Sequence, residues 1–321
     1  MSRPTVRLLA ALLAVLLLAT GCSGIGAASG RSKSSPPSSP SVSPSSSAVS
    51  TVPPSTVSPG GGSRYGRYVA LGDSYSAGPL VPITDVAGGC FRSDHNYPSL
   101  VARALGVRTF VDVTCSGATT ADLTGSQAGF GGATVPPQLA ALNRGTDLVT
   151  LGIGGNDLDL FSTVISTCTG LRAKDPAGSP CARRLAAQGP DLQAATTTIA
   201  VNVTSALREV RRRAPRATVV LVGYLRLAPQ RGTCRALPLA RGDYRLGRQV
   251  SQSLDRALRR AAHRTGTRYV DMYAASRGHD ICSARPWVNG KETVQGRALA
   301  YHPLAAGMRA DAARVLAALR R

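Results

Sequence analysis

The chain has 321 residues, of which 43% are hydrophobic and 4% aromatic, and it carries a formal net charge of +21. The charge comes almost entirely from arginines scattered along the chain. With no basic stripe interleaved with aromatics, it argues against a nucleic-acid surface and leaves a general attraction to anionic lipid headgroups or wall polymers.

Read from the first residue, Met1 to Arg7 carries two arginines and Leu8 to Thr20 is an unbroken apolar run. A run of this length is too short for a bilayer-spanning helix, which needs about 20 residues. It suits the apolar core of an export signal over residues 1–21. Ala19-Thr20-Gly21-Cys22 resembles a bacterial lipoprotein signal, with Ala19 where Leu is usual, and implies lipidation of Cys22 and a membrane anchor. Residues 22–64 are rich in Ser, Pro and Gly and cannot bury enough apolar surface to offset their ordering entropy. They are expected to form a disordered tether. Residues 65–321 suffice for one well-buried domain.

Within that domain, short β-branched runs alternate with longer helical ones. Strands are expected at Arg67–Leu71, Thr109–Val113, Asp147–Leu151, Ala217–Val222 and Thr267–Val270. Helices are expected at Tyr97–Leu105, closed by Gly106, and at about Asp191–Arg213, Tyr244–Arg264 and Pro303–Leu319. Strands separated by helices imply a parallel sheet with right-handed crossovers. Chemistry in such folds collects in loops at the carboxyl ends of the strands.

Four such places carry candidate residues. Gly72-Asp73-Ser74 follows the first strand, so Ser74 is either a nucleophile at a helix start or a plain N-cap. Gly117 follows the second strand and would let a backbone N–H approach a reacting centre, or merely serve a turn. Gly154-Gly155-Asn156-Asp157 follows the third, where no Gly-Lys-Ser/Thr continues as a phosphate loop would require. Asn156 there would project its amide into the cleft of Ser74. Tyr301-His302-Pro303 precedes the last helix, with Pro303 at its first position. His95, His263 and His279 lack that context.

Taken in order, these blocks resemble the SGNH/GDSL hydrolase family over Arg67 to the C-terminus. The resemblance implies a flavodoxin-like three-layer α/β/α sandwich around a five-stranded parallel sheet. It makes Ser74 the nucleophile and His302 its base, with the N–H groups of Ser74 and Gly117 and the Asn156 side chain as oxyanion hole. Cys90-Phe91-Arg92-Ser93, Asn96-Tyr97-Pro98 and Gly278-His279-Asp280-Ile281-Cys282 look like secreted actinobacterial lipases and esterases. That subgroup implies the pairs Cys90–Cys115, Cys168–Cys181 and Cys234–Cys282. Apart from Cys22, six cysteines in an oxidising compartment would otherwise allow 15 pairings.

One block departs from the family. An Asp usually stands three residues before the histidine, and here that position is Leu299. The expectation is therefore a Ser–His dyad whose imidazole is braced by the Leu299 carbonyl, with Asp271 as the alternative orienting group. The function implied is hydrolysis of acyl esters, without metal or organic cofactor, by an extracellular monomer tethered to the membrane. A carbohydrate O-deacetylase, for which Trp287 would be a thin marker, and a non-catalytic surface-binding module are the rival readings.

Overall fold

The computed structural model describes residues 64–189 and 191–320. The expected export signal, Cys22 and the tether up to residue 63 lie outside the described residues. Five strands form one wholly parallel sheet: β1 (Arg67–Gly72), β2 (Thr109–Asp112), β3 (Leu148–Gly152), β4 (Thr218–Val222) and β5 (Arg268–Val270), in the order β2-β1-β3-β4-β5. β1, β3 and β4 are buried almost throughout. That is why they read as continuous apolar runs rather than alternating ones.

The helices pack in pairs. α2 (Tyr97–Leu105) lies against the last helix, and α4 (Leu192–Arg213) lies along α5 (Tyr244–Thr265). α4 buries Ala195, Ile199, Val203, Leu207 and Val210, a three-to-four-residue spacing that makes one apolar stripe. The Asn96 side chain accepts from Ser99 N at 2.9 Å to cap α2, and Asp191 caps α4 by accepting from Gln193 N at 2.8 Å. Each cap satisfies an otherwise orphaned helix N–H. α2 ends at Gly106 (φ 60°) and α5 at Gly266 (φ 59°), both left-handed.

This strand order reverses direction between β1 and β3, so their carboxyl ends flank a crevice. α1 (Ser74–Ala77) starts directly at that crevice. Three features had no clear periodic signal in the sequence. They are α3 (Pro180–Gln188), an irregular helical run from Asp157 to Lys174, and two small hairpins, Thr84–Asp85 with Arg92–Ser93 and Gln127–Ala128 with Thr134–Val135. The last helix, α6 (Ala305–Arg320), starts later than expected. Pro303 is not at its first position but bridges to Val288. Disulfides join Cys90 to Cys115, Cys168 to Cys181 and Cys234 to Cys282.

Candidate active site

β1 delivers Ser74 through a backbone turn that needs glycine. Gly72 has φ 151°, and a Cβ there would lie 2.4 Å from Ser76 Oγ and 2.6 Å from the Gly152 carbonyl. The Gln138 amide fixes this residue on both sides, accepting from Gly72 N at 2.8 Å and donating to Gly72 O at 3.0 Å. Asp73 N then donates to Gly152 O at 2.9 Å, tying the end of β1 to that of β3. Asp73 caps α1 by accepting from Tyr75 N at 2.9 Å. Ser74 is thus not a helix cap. Nor is it openly exposed: only 6% of its surface is accessible.

His302 reaches the same point from the far end of the chain. Its Nε2 lies 2.8 Å from Ser74 Oγ, and its Nδ1 lies 2.7 Å from the Ala300 carbonyl. A carbonyl can only accept, so Nδ1 carries the proton and Nε2 presents its lone pair to the serine hydroxyl. The carbonyl that braces the ring is therefore Ala300, not Leu299. Tyr301 has φ 62° and turns the chain back on itself. In that turn Leu299 O accepts from His302 N at 3.2 Å and from Asn289 Nδ2 at 3.2 Å, leaving Ala300 O to face Nδ1. The turn is pinned by Tyr75 Oη donating to Tyr301 O at 2.8 Å and by Asn289 N donating to His302 O at 2.8 Å.

Asp271 does not orient the imidazole. Its carboxylate receives Arg259 Nη2 at 2.6 Å and the Ala274 N–H at 2.7 Å. The other histidines are elsewhere too. His95 pairs with Asp94, His279 stacks on Trp287 with ring centroids 4.1 Å apart, and His263 is exposed in the last turn of α5. Trp287 does not line the Ser74 cavity.

Asn156 follows β3 and lines that cavity beside Ser74 and His302. One of its amide protons goes to Ala118 O at 2.9 Å, and the other has no partner among the described residues. Asp157 accepts from Thr120 N at 2.8 Å and from the Thr120 hydroxyl, so the Asn156 loop and the Gly117 loop are stitched together. Gly117 has φ 83° and is exposed at the turn after Cys115. Cys115 N donates to Gly72 O at 2.9 Å, which sets that turn against the end of β1.

Two shifted ionisations frame the pair. Desolvation lowers the His302 pKa to about 4, against a smaller upward pull from the Ala300 carbonyl. The base is accordingly neutral at neutral pH. Burial raises Asp73 to about 7, although the Tyr224 hydroxyl donates to it and pulls the other way. Tyr224 Oη also accepts from Gly155 N at 2.8 Å, linking Asp73 to the Asn156 loop. Phe161, Ile165, Tyr224 and Leu227 wall the cavity, which has a volume of about 30 Å³.

Tyr75, Gln138, Tyr224 and Asn289 were not singled out from sequence. Tyr224 could have been: it stands just past β4, where the strand-end rule that located Ser74 and Asn156 applies equally. Asn289 had no such signal, because its partners are backbone groups of a loop with no periodicity.

The described residues contain no cluster of three or more His, Cys, Asp or Glu able to hold a metal. None of the described helices is long and apolar enough to cross a membrane.

A serine hydroxyl held by a neutral imidazole, at the carboxyl ends of a parallel sheet, is the arrangement that a serine nucleophile needs. Residues 70–310 match the GDSL-like lipase/acylhydrolase family. The chain belongs to that family and is a carboxylic ester hydrolase. It is 43% identical over 250 residues to Lipase 2 of Streptomyces coelicolor, covering 75% of this chain and 82% of the relative. It is 32% identical over 241 residues to a lipase of Streptomyces rimosus, covering 75% and 81%. Among solved structures, phospholipase A1 of Streptomyces albidoflavus superposes with TM-score 0.64 at 34% identity, over 80% of this chain and 98% of that one. The extracellular lipase of Streptomyces rimosus gives 0.65 at 30% identity, over 78% and 99%. The three disulfides of this chain fit an extracellular setting.

Proposed function

We propose that the protein hydrolyses lipid acyl esters through a Ser74–His302 dyad. The observation that carries this reading is the 2.8 Å contact from His302 Nε2 to Ser74 Oγ, with Nδ1 committed to a carbonyl. Ser74 Oγ attacks the ester carbonyl as His302 takes its proton. The tetrahedral oxyanion is received by the N–H groups of Ser74 and Gly117 and the free Asn156 amide proton. His302 then returns the proton to the leaving alcohol, and an acyl-serine forms. Water, deprotonated by the same imidazole, attacks this acyl group and releases the fatty acid. Phe161, Ile165 and Leu227 present apolar surface beside Ser74, which suits an acyl group.

Ser74→Ala should lose activity on p-nitrophenyl esters by about 10⁴- to 10⁶-fold with an unchanged circular dichroism spectrum. A serine-reactive organophosphorus probe should label Ser74. Labelling at another serine, or an active alanine variant, overturns the assignment.

The reading extends to location. Residues 1–21 act as an export signal, Cys22 takes a diacylglycerol, and the Ser/Pro/Gly-rich segment tethers the domain at the outer membrane face, where it works as a monomer. The support is the short apolar run ending in Ala19-Thr20-Gly21-Cys22. Mass spectrometry of the N-terminal peptide should find Cys22 as the modified first residue; an unmodified peptide rejects the anchor and leaves the dyad untouched.

A further inference from the structure

His302 Nδ1 is held by a backbone oxygen, and the chain just before it offers three in a row, the carbonyls of Ala298, Leu299 and Ala300. Only Ala300 O faces the ring, at 2.7 Å. The other two turn to Asn289, whose Nδ2 lies 3.1 Å from Ala298 O and 3.2 Å from Leu299 O. The same nitrogen lies 2.7 Å from Glu292 O. Carbonyl oxygens only accept, so the nitrogen of the Asn289 amide, and not its oxygen, faces all three. Its two protons thus serve three oxygens of one loop. No other side chain among the described residues donates to Ala298 O or Leu299 O. Asn289 is itself buried, where a carbonyl that lost its donor would have no water to replace it.

A short ladder puts Asn289 in reach of these oxygens. Val288 bridges Pro303, Asn289 N donates to His302 O at 2.8 Å, and Tyr301 N donates to Gly290 O at 3.0 Å. Residues 288–290 therefore run beside 301–303, and the chain between them folds back as a loop. Val294 and Ala298 close that loop, each N–H meeting the other's carbonyl at 3.0 and 3.1 Å. Leu299 N donates to Pro79 O at 3.1 Å, and Ala300 N donates to Thr293 Oγ1 at 3.2 Å. Those two bonds fix N–H groups. The direction of the carbonyls is left to Asn289.

We propose that Asn289 is a positioning residue: by engaging Ala298 O and Leu299 O it selects Ala300 O as the brace of His302, and so keeps the imidazole in the tautomer that can take the Ser74 proton. The proposal rests on the Ser74–His302 dyad and adds to it the side chain that sets the base. Without the two amide protons, Ala298 O and Leu299 O lose the donor that holds them away from the ring. A turn of the peptide between residues 299 and 300 then takes Ala300 O off Nδ1. The imidazole proton is free to sit on Nε2, and an Nε2–H cannot accept from the serine hydroxyl.

The test is Asn289→Leu, which keeps the branch at Cγ and removes both protons. On a p-nitrophenyl ester kcat should fall about 10²-fold, the lower end of what a general base contributes, with KM little changed. A general loosening of the loop also lowers kcat, so the tautomer is read directly. Long-range ¹H–¹⁵N spectra at neutral pH should show His302 protonated at Nδ1 alone in the wild type and a mixture of tautomers in the variant. Thr293→Val is the control: it removes the acceptor of Ala300 N from an exposed position and leaves Asn289 in place. It should keep the wild-type kcat and tautomer. A folded Asn289→Leu that keeps either its kcat or the Nδ1 tautomer overturns the proposal, as does an equal loss in Thr293→Val. If Asn289→Leu does not fold, hydrogen exchange in the wild type decides. The Asn289 side-chain protons should exchange far more slowly than those of the exposed Asn143, and equal rates overturn the proposal. A wild type protonated at Nε2, or an active Ser74→Ala, sinks the dyad itself. A wild type protonated at Nδ1 with an indifferent Asn289→Leu removes the role of Asn289 alone.

Discussion

At Nδ1 of His302 the chain offers a neutral carbonyl, Ala300 O, where a carboxylate would hold the imidazolium more tightly. Two consequences follow at the level of single residues. Leu299→Ala keeps every backbone oxygen and should retain most activity. Asp271→Asn should stay within about tenfold of wild type, against roughly 10⁴-fold when a true triad carboxylate becomes an amide. Steady-state kcat/KM on a p-nitrophenyl ester separates these outcomes, and a large loss in Asp271→Asn restores a dispersed triad. The second consequence is a pH profile. Burial holds the folded His302 pKa near about 4, below its ordinary 6.5. The neutral base therefore persists as pH falls through 6.5, and kcat/KM should decline only as pH approaches about 4. An acid limb centred at 6.5 contradicts the desolvated base. The same shift means that between these values the unfolded chain binds the extra proton, so this group's contribution to stability falls as pH drops.

Between elements, the site is held by polar side chains that bridge strand ends. Tyr224, after β4, donates to Asp73 after β1 and accepts from Gly155 after β3. Tyr224→Phe removes both bonds in a buried setting, where each unmet group costs about 1–3 kcal/mol. The expected result is a fall in kcat of roughly tenfold or more with KM little changed, because the Asn156 loop loses its anchor. Tyr224 also holds Asp73 down, so without it burial carries that carboxyl above about 7. Any ionisation near neutrality in the wild-type profile should move upward in the variant, which a purely structural defect would not produce. The five strands and the long helices were legible because burial on both sheet faces and one-sided helix packing leave periodic signatures. That Ser74, Asn156 and His302 would meet at one cavity was legible because strand-end and motif context coincide. The identity of the bracing carbonyl was not, since it depends on one left-handed residue, Tyr301. α3 and the Asp157–Lys174 run were hidden for a related reason: irregular turns and short helices carry weak periodicity.

For the molecule as a whole, the three disulfides divide by accessibility. Cys90, Cys115, Cys168 and Cys181 are each at most 1% exposed, whereas Cys234 and Cys282 are only partly buried. Thiol–disulfide exchange needs the attacking thiolate to reach a sulfur, so mild reductant under native conditions should open Cys234–Cys282 first. This bridge also spans the longest segment, 48 residues, and the loop-entropy relation assigns it about 4 kcal/mol. For a domain of this size about 2–4 °C of Tm accompanies each kcal/mol, so the selectively reduced protein should melt about 8–16 °C lower. Its activity at 25 °C should largely survive, because Asn289 and Tyr75 still hold the His302 turn. Trapping with iodoacetamide and peptide mapping should find label on Cys234 and Cys282 before any other pair. Equal labelling of Cys90 and Cys115 means the domain opens globally to be reduced, and the ordering by accessibility then fails.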